Sequence, residues 1–301
     1  MKLAEPTAVS MRRIAFDVDG DRVIGLLHLP AGEGPYPAAA VGGPMTSVKE
    51  QVTGVYAAAL AARGIAALAL DHRHYGESGG TPRQYESAEH KIEDLCAAAD
   101  WLAQDVRIDA ARIGALGVCL GAGYVAHAAV RSPQIRAVAA IAGYFRDPAE
   151  MRRQDSEGFD TRVAQGVAAR EHLQRSGETL FIPAVALEGD AAMSSADTFD
   201  YYHRRAAVEN YRNAFAVMSR EHFLPFDVQS AAPLLRVPLL MVHSRNALSP
   251  HWAQRFHDAT TAPKRLVWID SRAQTDLYDD PARVTEAADL AAEHLLAMLG
   301  R

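Results

Sequence analysis

Short apolar runs alternate with helix-period segments along most of this chain, and that alternation predicts its architecture. The first segment differs: Ile14–Val18 and Arg22–Leu27 flank Asp19-Gly20, a dipeptide suited to the positive-φ backbone of a tight hairpin turn. The acidic run Asp17–Asp21 lacks the ligand order of a calcium loop, and His28 stands where its bidentate Glu would fall. After Pro30, the runs Pro37–Val41, Ile65–Leu70, Ile113–Val118, Ala137–Ala142, Leu239–His243 and Leu266–Ile269 predict strands covered on both faces. Helical segments between them are Val48–Arg63, Ser87–Gln104 and Leu120–Arg131. A last helix starting at Pro281 carries Val284, Ala288, Ala291, Leu295 and Leu299 on one face. The fold class is therefore α/β: a mostly parallel, doubly wound sheet with an N-terminal β-hairpin.

From 146 to 235 the alternation stops. This stretch is rich in charge, Tyr and Phe and has no series of apolar strand runs. The expected organisation is one α/β core, 1–145 and 236–301, interrupted by a helical lid at 146–235, because insertions at strand carboxyl ends cover the ligand crevice. Tyr201, Tyr202, Tyr211, Phe215, Phe223 and Phe226 would then line an apolar pocket roof.

Composition narrows the classes. Of 301 residues, 49% are hydrophobic and 23% charged, which excludes a disordered chain. Lys and Arg number 31 against 37 for Asp and Glu, giving a charge of −6. That balance argues against nucleic-acid partners and anionic membranes. Met1–Arg13 has no apolar secretion segment, and no run reaches the roughly 18–20 residues of a membrane helix, so a cytoplasmic location is expected. Two cysteines, Cys96 and Cys119, exclude a disulfide framework and fit a reducing compartment. Cys96 shares a helical stripe with Ile92, Ala99 and Leu102 and reads as a core thiol.

Cys119 reads differently. In Gly117-Val118-Cys119-Leu120-Gly121, a strand runs through a glycine-flanked turn into a helix, which is the setting of a nucleophile elbow. The glycines permit close backbone approach at a strained turn. The helix amino terminus is expected to favour thiolate at Cys119, and the Leu120 amide to serve as an oxyanion donor.

Three passages carry a resemblance: Gly42–Gln51, Asp71–Gly80 and this elbow; Thr275–Asp279 adds a fourth. The chain resembles the α/β-hydrolase superfamily, in particular its dienelactone-hydrolase-like, Cys-elbow branch that includes polyketide-transferase-like proteins. The resemblance implies acyl hydrolysis or transfer through a covalent intermediate, and a second oxyanion donor from the backbone of Met45. It also implies a catalytic His where this chain has Gln274, and an acid after Leu239–His243, where Ser244–Ser249 contains no carboxylate.

An amide cannot shuttle protons at neutral pH. A serine here would be close to inert, whereas a few per cent of an ordinary thiol is already thiolate. The expected chemistry therefore shifts from fast hydrolysis toward acyl transfer or a specialised reaction on an ester or thioester, including a polyketide-like one. Gln274 is expected to orient substrate or water. A non-hydrolytic cyclase or carbon–carbon lyase, and a retired binding protein on the same scaffold, are the alternatives. His74, Tyr75 and His243, at strand carboxyl ends, and Asp276 are further candidates; for Asp276 bracing of its loop outweighs a base role. His90, His251, His257 and His294 are expected to be solvated, while His172, His203 and His222 lie in the lid. His72 and His74 at i, i+2 lack further ligands at metal spacing, so no metal and no cofactor is expected. The partner is a small-molecule substrate, a carrier-bound acyl group being one form of it, and a homodimer is allowed.

Overall fold

A computed structural model describes residues 9–300. Asp19 and Gly20 both take positive φ, 50° and 86°, and the hairpin forms around them: β1 (Ser10–Val18) pairs antiparallel with β2 (Asp21–Leu29). Then follow β3 (Tyr36–Gly42), α1 (Val52–Ala61), β4 (Ala66–Asp71), α2 (Ala88–Gln104), β5 (Ile108–Val118), α3 (Leu120–Arg131) and β6 (Val138–Ile141). The segment after β6 holds α4 (Pro148–Gln154), α5 (Ser156–Ser176), a two-residue ribbon of β7 (Phe181–Ile182) with β8 (Phe215–Ala216), α6 (Ala196–Asp200) and α7 (Arg220–Phe223). The chain closes with β9 (Leu239–His243), α8 (Pro250–Ala259), β10 (Lys264–Trp268), α9 (Asp276–Asp279) and α10 (Pro281–Met298).

Eight strands form one sheet in the order β1-β2-β4-β3-β5-β6-β9-β10, parallel from β4 to β10. The six apolar runs form the six parallel strands. Their alanines, valines and leucines are buried because helices cover both faces. From β3 the chain crosses to β4 on one side, and β5 lies on the other, so a crevice opens beyond the carboxyl ends of β3 and β5. Two bounds differ from the sequence pattern. β5 starts five residues before Ile113, at the buried Ile108, through Asp109–Arg112, which carry no apolar run. The first helix starts at Val52 instead of Val48, since Val48–Gln51 is held in turns by polar contacts, among them Lys49 N–H to Asp71 Oδ1 at 2.8 Å. No helix among the described residues is long and apolar enough to cross a membrane.

Candidate active site

β5 delivers Cys119 to the carboxyl edge of the sheet, and α3 begins at the next residue. Cys119 has φ 56° and ψ −124°, a conformation that L side chains rarely adopt. Only glycine fits on either side of it. A Cβ on Gly117 would meet Gly121 O at 2.4 Å, and one on Gly121 would meet Gly42 O at 2.3 Å. The Cys119 N–H bonds to Ile141 O, and its carbonyl accepts from Tyr144 N–H at 2.9 Å, so the turn is fixed by β6 and the loop after it.

Cys119 and Leu120 open on a pocket of about 340 Å³. Pro44 and Met45 from the loop after β3, and Leu248, Ser249 and Tyr278 from the loops after β9 and β10, close its core side. Residues of 146–235, including Met151, Met193, Tyr202 and Phe223, form the rest of the wall. Of the expected aromatic roof, Tyr202 and Phe223 line the pocket. Tyr201 packs edge-on against Tyr278, Tyr211 stacks on Tyr202, Phe226 packs on Tyr124, and Phe215 meets Phe223 from behind. Leu120 N–H faces the Cys119 sulfur, and no hydrogen bond among the described residues claims the Met45 N–H. Both residues line the pocket beside Cys119.

Burial pushes the Cys119 thiol up from its ordinary range. Hydrogen bonds from Tyr278, the Leu120 amide and Gln274 oppose that rise, and the buried Glu86 carboxylate adds to it. This corrects the expectation that the helix terminus alone would supply thiolate: desolvation wins, and the resting group is a thiol. Burial also raises Cys96, half-buried against Ala128 O, to about 11.

Gln274 is held at both ends of its side chain. It is buried, its Oε1 accepts from Leu248 N–H at 2.9 Å, and its Nε2 donates to Ala142 O at 2.8 Å and to the Tyr278 hydroxyl at 3.0 Å. Both ends of the amide are thus engaged, and Nε2 links Tyr278 and the thiol to Ala142. The loop that lacks a carboxylate contributes a backbone N–H in its place.

Tyr278 is the residue that sequence reasoning passed over. Its hydroxyl accepts from Gln274 and hydrogen-bonds to Cys119, and burial holds it well above the ordinary phenol range. The Thr275–Asp279 motif contained it, but nothing in the sequence aimed its hydroxyl at sulfur. Because burial outweighs the hydrogen bonds to the sulfur, alkylation of Cys119 by iodoacetamide is expected to titrate above the ordinary thiol value of about 8.5. Tyr278→Phe then moves the apparent pKa higher still and slows alkylation at pH 8. A lower value in the variant would show that the hydroxyl does not serve the sulfur.

The four further candidates stand away from the pocket wall. His74 Nε2 meets His90 Nδ1 at 2.8 Å and its Nδ1 meets Pro82 O, with burial lowering its pKa to about 4. His243 is buried, with Nε2 donating to Gly143 O at 3.0 Å. Asp276 accepts three hydrogen bonds from Arg272, which hold its carboxyl below the usual range: it braces its loop. His90 is also not the solvated residue expected, because it pairs with His74; burial likewise lowers His294.

Tyr75 belongs to a buried cluster beneath the oxyanion loop. Glu86 accepts from the Tyr75 and Tyr124 hydroxyls, each at 2.8 Å, from Thr46 N–H at 3.0 Å, and from Lys91 at 2.7 Å. Thr46 follows Met45 and has φ 61°, so the carboxylate pins a strained residue next to an oxyanion donor. Despite full burial, these donors hold Glu86 below its ordinary pKa.

A family model described as FrsA-like esterase matches residues 2–148. YcjY of Escherichia coli K12, an uncharacterised protein, is 32% identical over 85% of this chain and 87% of its own length. The thiohydrolase aneE of Aspergillus aculeatus is 26% identical, covering 85% of this chain and 83% of the relative. The α/β hydrolase GrgF of Penicillium sp. sh18 superposes with a TM-score of 0.80 at 20% identity, over 95% of this chain and 99% of that one, a likeness of fold.

Proposed function

We propose, for a chain that belongs to the α/β-hydrolase superfamily and whose residues 2–148 match the FrsA-like esterase model, that Cys119 accepts an acyl group from an ester or thioester and passes it to an acceptor other than water. One observation carries the reading: a strained, pocket-facing thiol flanked by the Leu120 and Met45 amides, with Gln274 and Tyr278 where a base would stand.

With a thioester, the Cys119 sulfur forms a bond to the carbonyl carbon, and the bond from that carbon to the leaving sulfur breaks. The thiol proton must reach the leaving group. Tyr278 is too weak an acid to stay ionised, so it acts as a relay, taking the Cys119 proton as it gives its own to the departing sulfur. Exchange of one thioester for another needs no net proton. Release by a thiol or amine reverses the same path, whereas water needs a base that this site lacks. An internal nucleophile of the bound chain meets the same requirement and gives cyclisation. The segment 146–235 serves as the lid that keeps water out. The name of the aneE relative supports a thioester as substrate class, and the apolar wall suits a hydrophobic or polyketide-like acyl chain.

Partitioning tests this. Given an N-acetylcysteamine thioester, the enzyme is expected to transfer acyl to an added thiol at least roughly tenfold faster than it hydrolyses it. Hydrolysis with no transfer product would overturn the reading, and no turnover together with tight ligand binding would identify a binding protein.

A further inference from the structure

Five cationic side chains are buried among the described residues: Lys49, Arg73, Lys91, Arg146 and Arg220. Four of them meet carboxylates, of Asp71, Asp94, Glu86 and Asp190 respectively. Arg146 meets none. It is 1% exposed, its Nη1 donates to Phe223 O at 3.0 Å and its Nη2 to Leu224 O at 2.9 Å, with Met151 Sδ at 3.5 Å. Its Nε–H is buried with no hydrogen-bond partner. The nearest acids in sequence, Asp147 and Glu150, are both taken by Arg255.

A guanidinium balanced only by carbonyls and by the Phe223 ring, 4.6 Å away, is an incomplete site. Its surroundings say what completes it. Arg146, Met151, Phe223 and Leu224 line the same pocket as Cys119, and Tyr144, also on that wall, lies within electrostatic reach of both the guanidinium and the sulfur. We infer that the acyl substrate carries a carboxylate, and that Arg146 is its receptor. A single guanidinium in a pocket otherwise lined by uncharged side chains matches a monoanion; a dianionic phosphate would bring a charge with no counterpart. This rests on the proposed acylation of Cys119 for the word acyl, not for the anion. The two carbonyl bonds tie the start of the 146–235 segment to its later part, and the Nε–H and the second Nη1 hydrogen are left for ligand.

The test compares the glutaryl thioester of N-acetylcysteamine with the same compound methyl-esterified at its free carboxyl, which differ in one negative charge. Wild-type protein is expected to prefer the charged compound by roughly 10- to 100-fold in acylation kcat/KM, expressed in KM. Arg146→Met is expected to bring that ratio close to one, and Arg146→Lys to keep part of it. Calorimetry on Cys119→Ala, which cannot be acylated, is expected to show the same preference in Kd. Equal acylation and equal binding of the two compounds overturn the inference and leave the acyl-transfer reading standing. A charge preference that survives Arg146→Met also overturns it, assigning Arg146 a purely structural tie. Charge-selective binding without acylation of wild-type protein sustains the inference and sinks the acyl-transfer reading instead. Should Arg146→Met fail to fold, the wild-type and Cys119→Ala comparisons still decide.

Discussion

Exchange of Cys119 for alanine is expected to lower turnover of a thioester substrate by at least about a thousandfold and to leave the fold intact. The size follows from the site's makeup. Leu120 and Met45 can still polarise a carbonyl, but no other thiol lines the pocket among the described residues. Stability should change little, because alanine inherits the same φ of 56° and Gln274 and Tyr278, which face the sulfur, also have partners of their own. Serine is the sharper control. It keeps the shape of the elbow, yet a hydroxyl needs a base and Gln274 cannot act as one. Cys119→Ser should therefore fall about as far as alanine in steady-state assays. Substantial serine activity would reveal a base the geometry does not contain.

Lys91→Met is expected to destabilise the protein by about 3–5 kcal/mol, because it leaves Glu86 as an uncompensated buried carboxylate. The pH dependence gives the cause. In the wild type, Glu86 is held below its ordinary range, so its contribution is present above the unfolded carboxyl pKa and is lost as pH falls through the folded value. In the variant, burial no longer faces a cation and drives that pKa up. The penalty is then largest at neutral pH and shrinks as acid protonates the group. A deficit independent of pH in denaturant titrations would show lost packing instead. Catalysis should suffer too, since Glu86 holds Thr46 N–H beside the Met45 amide.

The hairpin, the six core strands and the elbow were readable because each is a local pattern: a positive-φ dipeptide, an apolar run, or glycines where any Cβ would strike backbone. The Gln274 substitution was equally visible as a residue type. Its partners were not, because Leu248 and Ala142 are far from it in sequence and meet it only once β6, β9 and β10 lie side by side. Tyr278 was missed for the same reason. Glu86 and Lys91 sit at the start of an amphipathic helix, where charges read as solvated, and only the packing of Tyr75 and Tyr124 around them shows otherwise. His74 and His243 occupy the productive edge of the sheet, yet their rings turn to His90 and Gly143, a choice of rotamer that position cannot reveal.

The central claim is that the acyl group passes through Cys119. Intact-mass spectrometry of protein mixed with an acyl thioester, followed by peptide mapping, tests it directly. The account predicts one acyl adduct, mapped to Cys119 and not to Cys96, persisting in buffer and discharged by an added thiol. Turnover with no adduct, retained in full by Cys119→Ala, would contradict it.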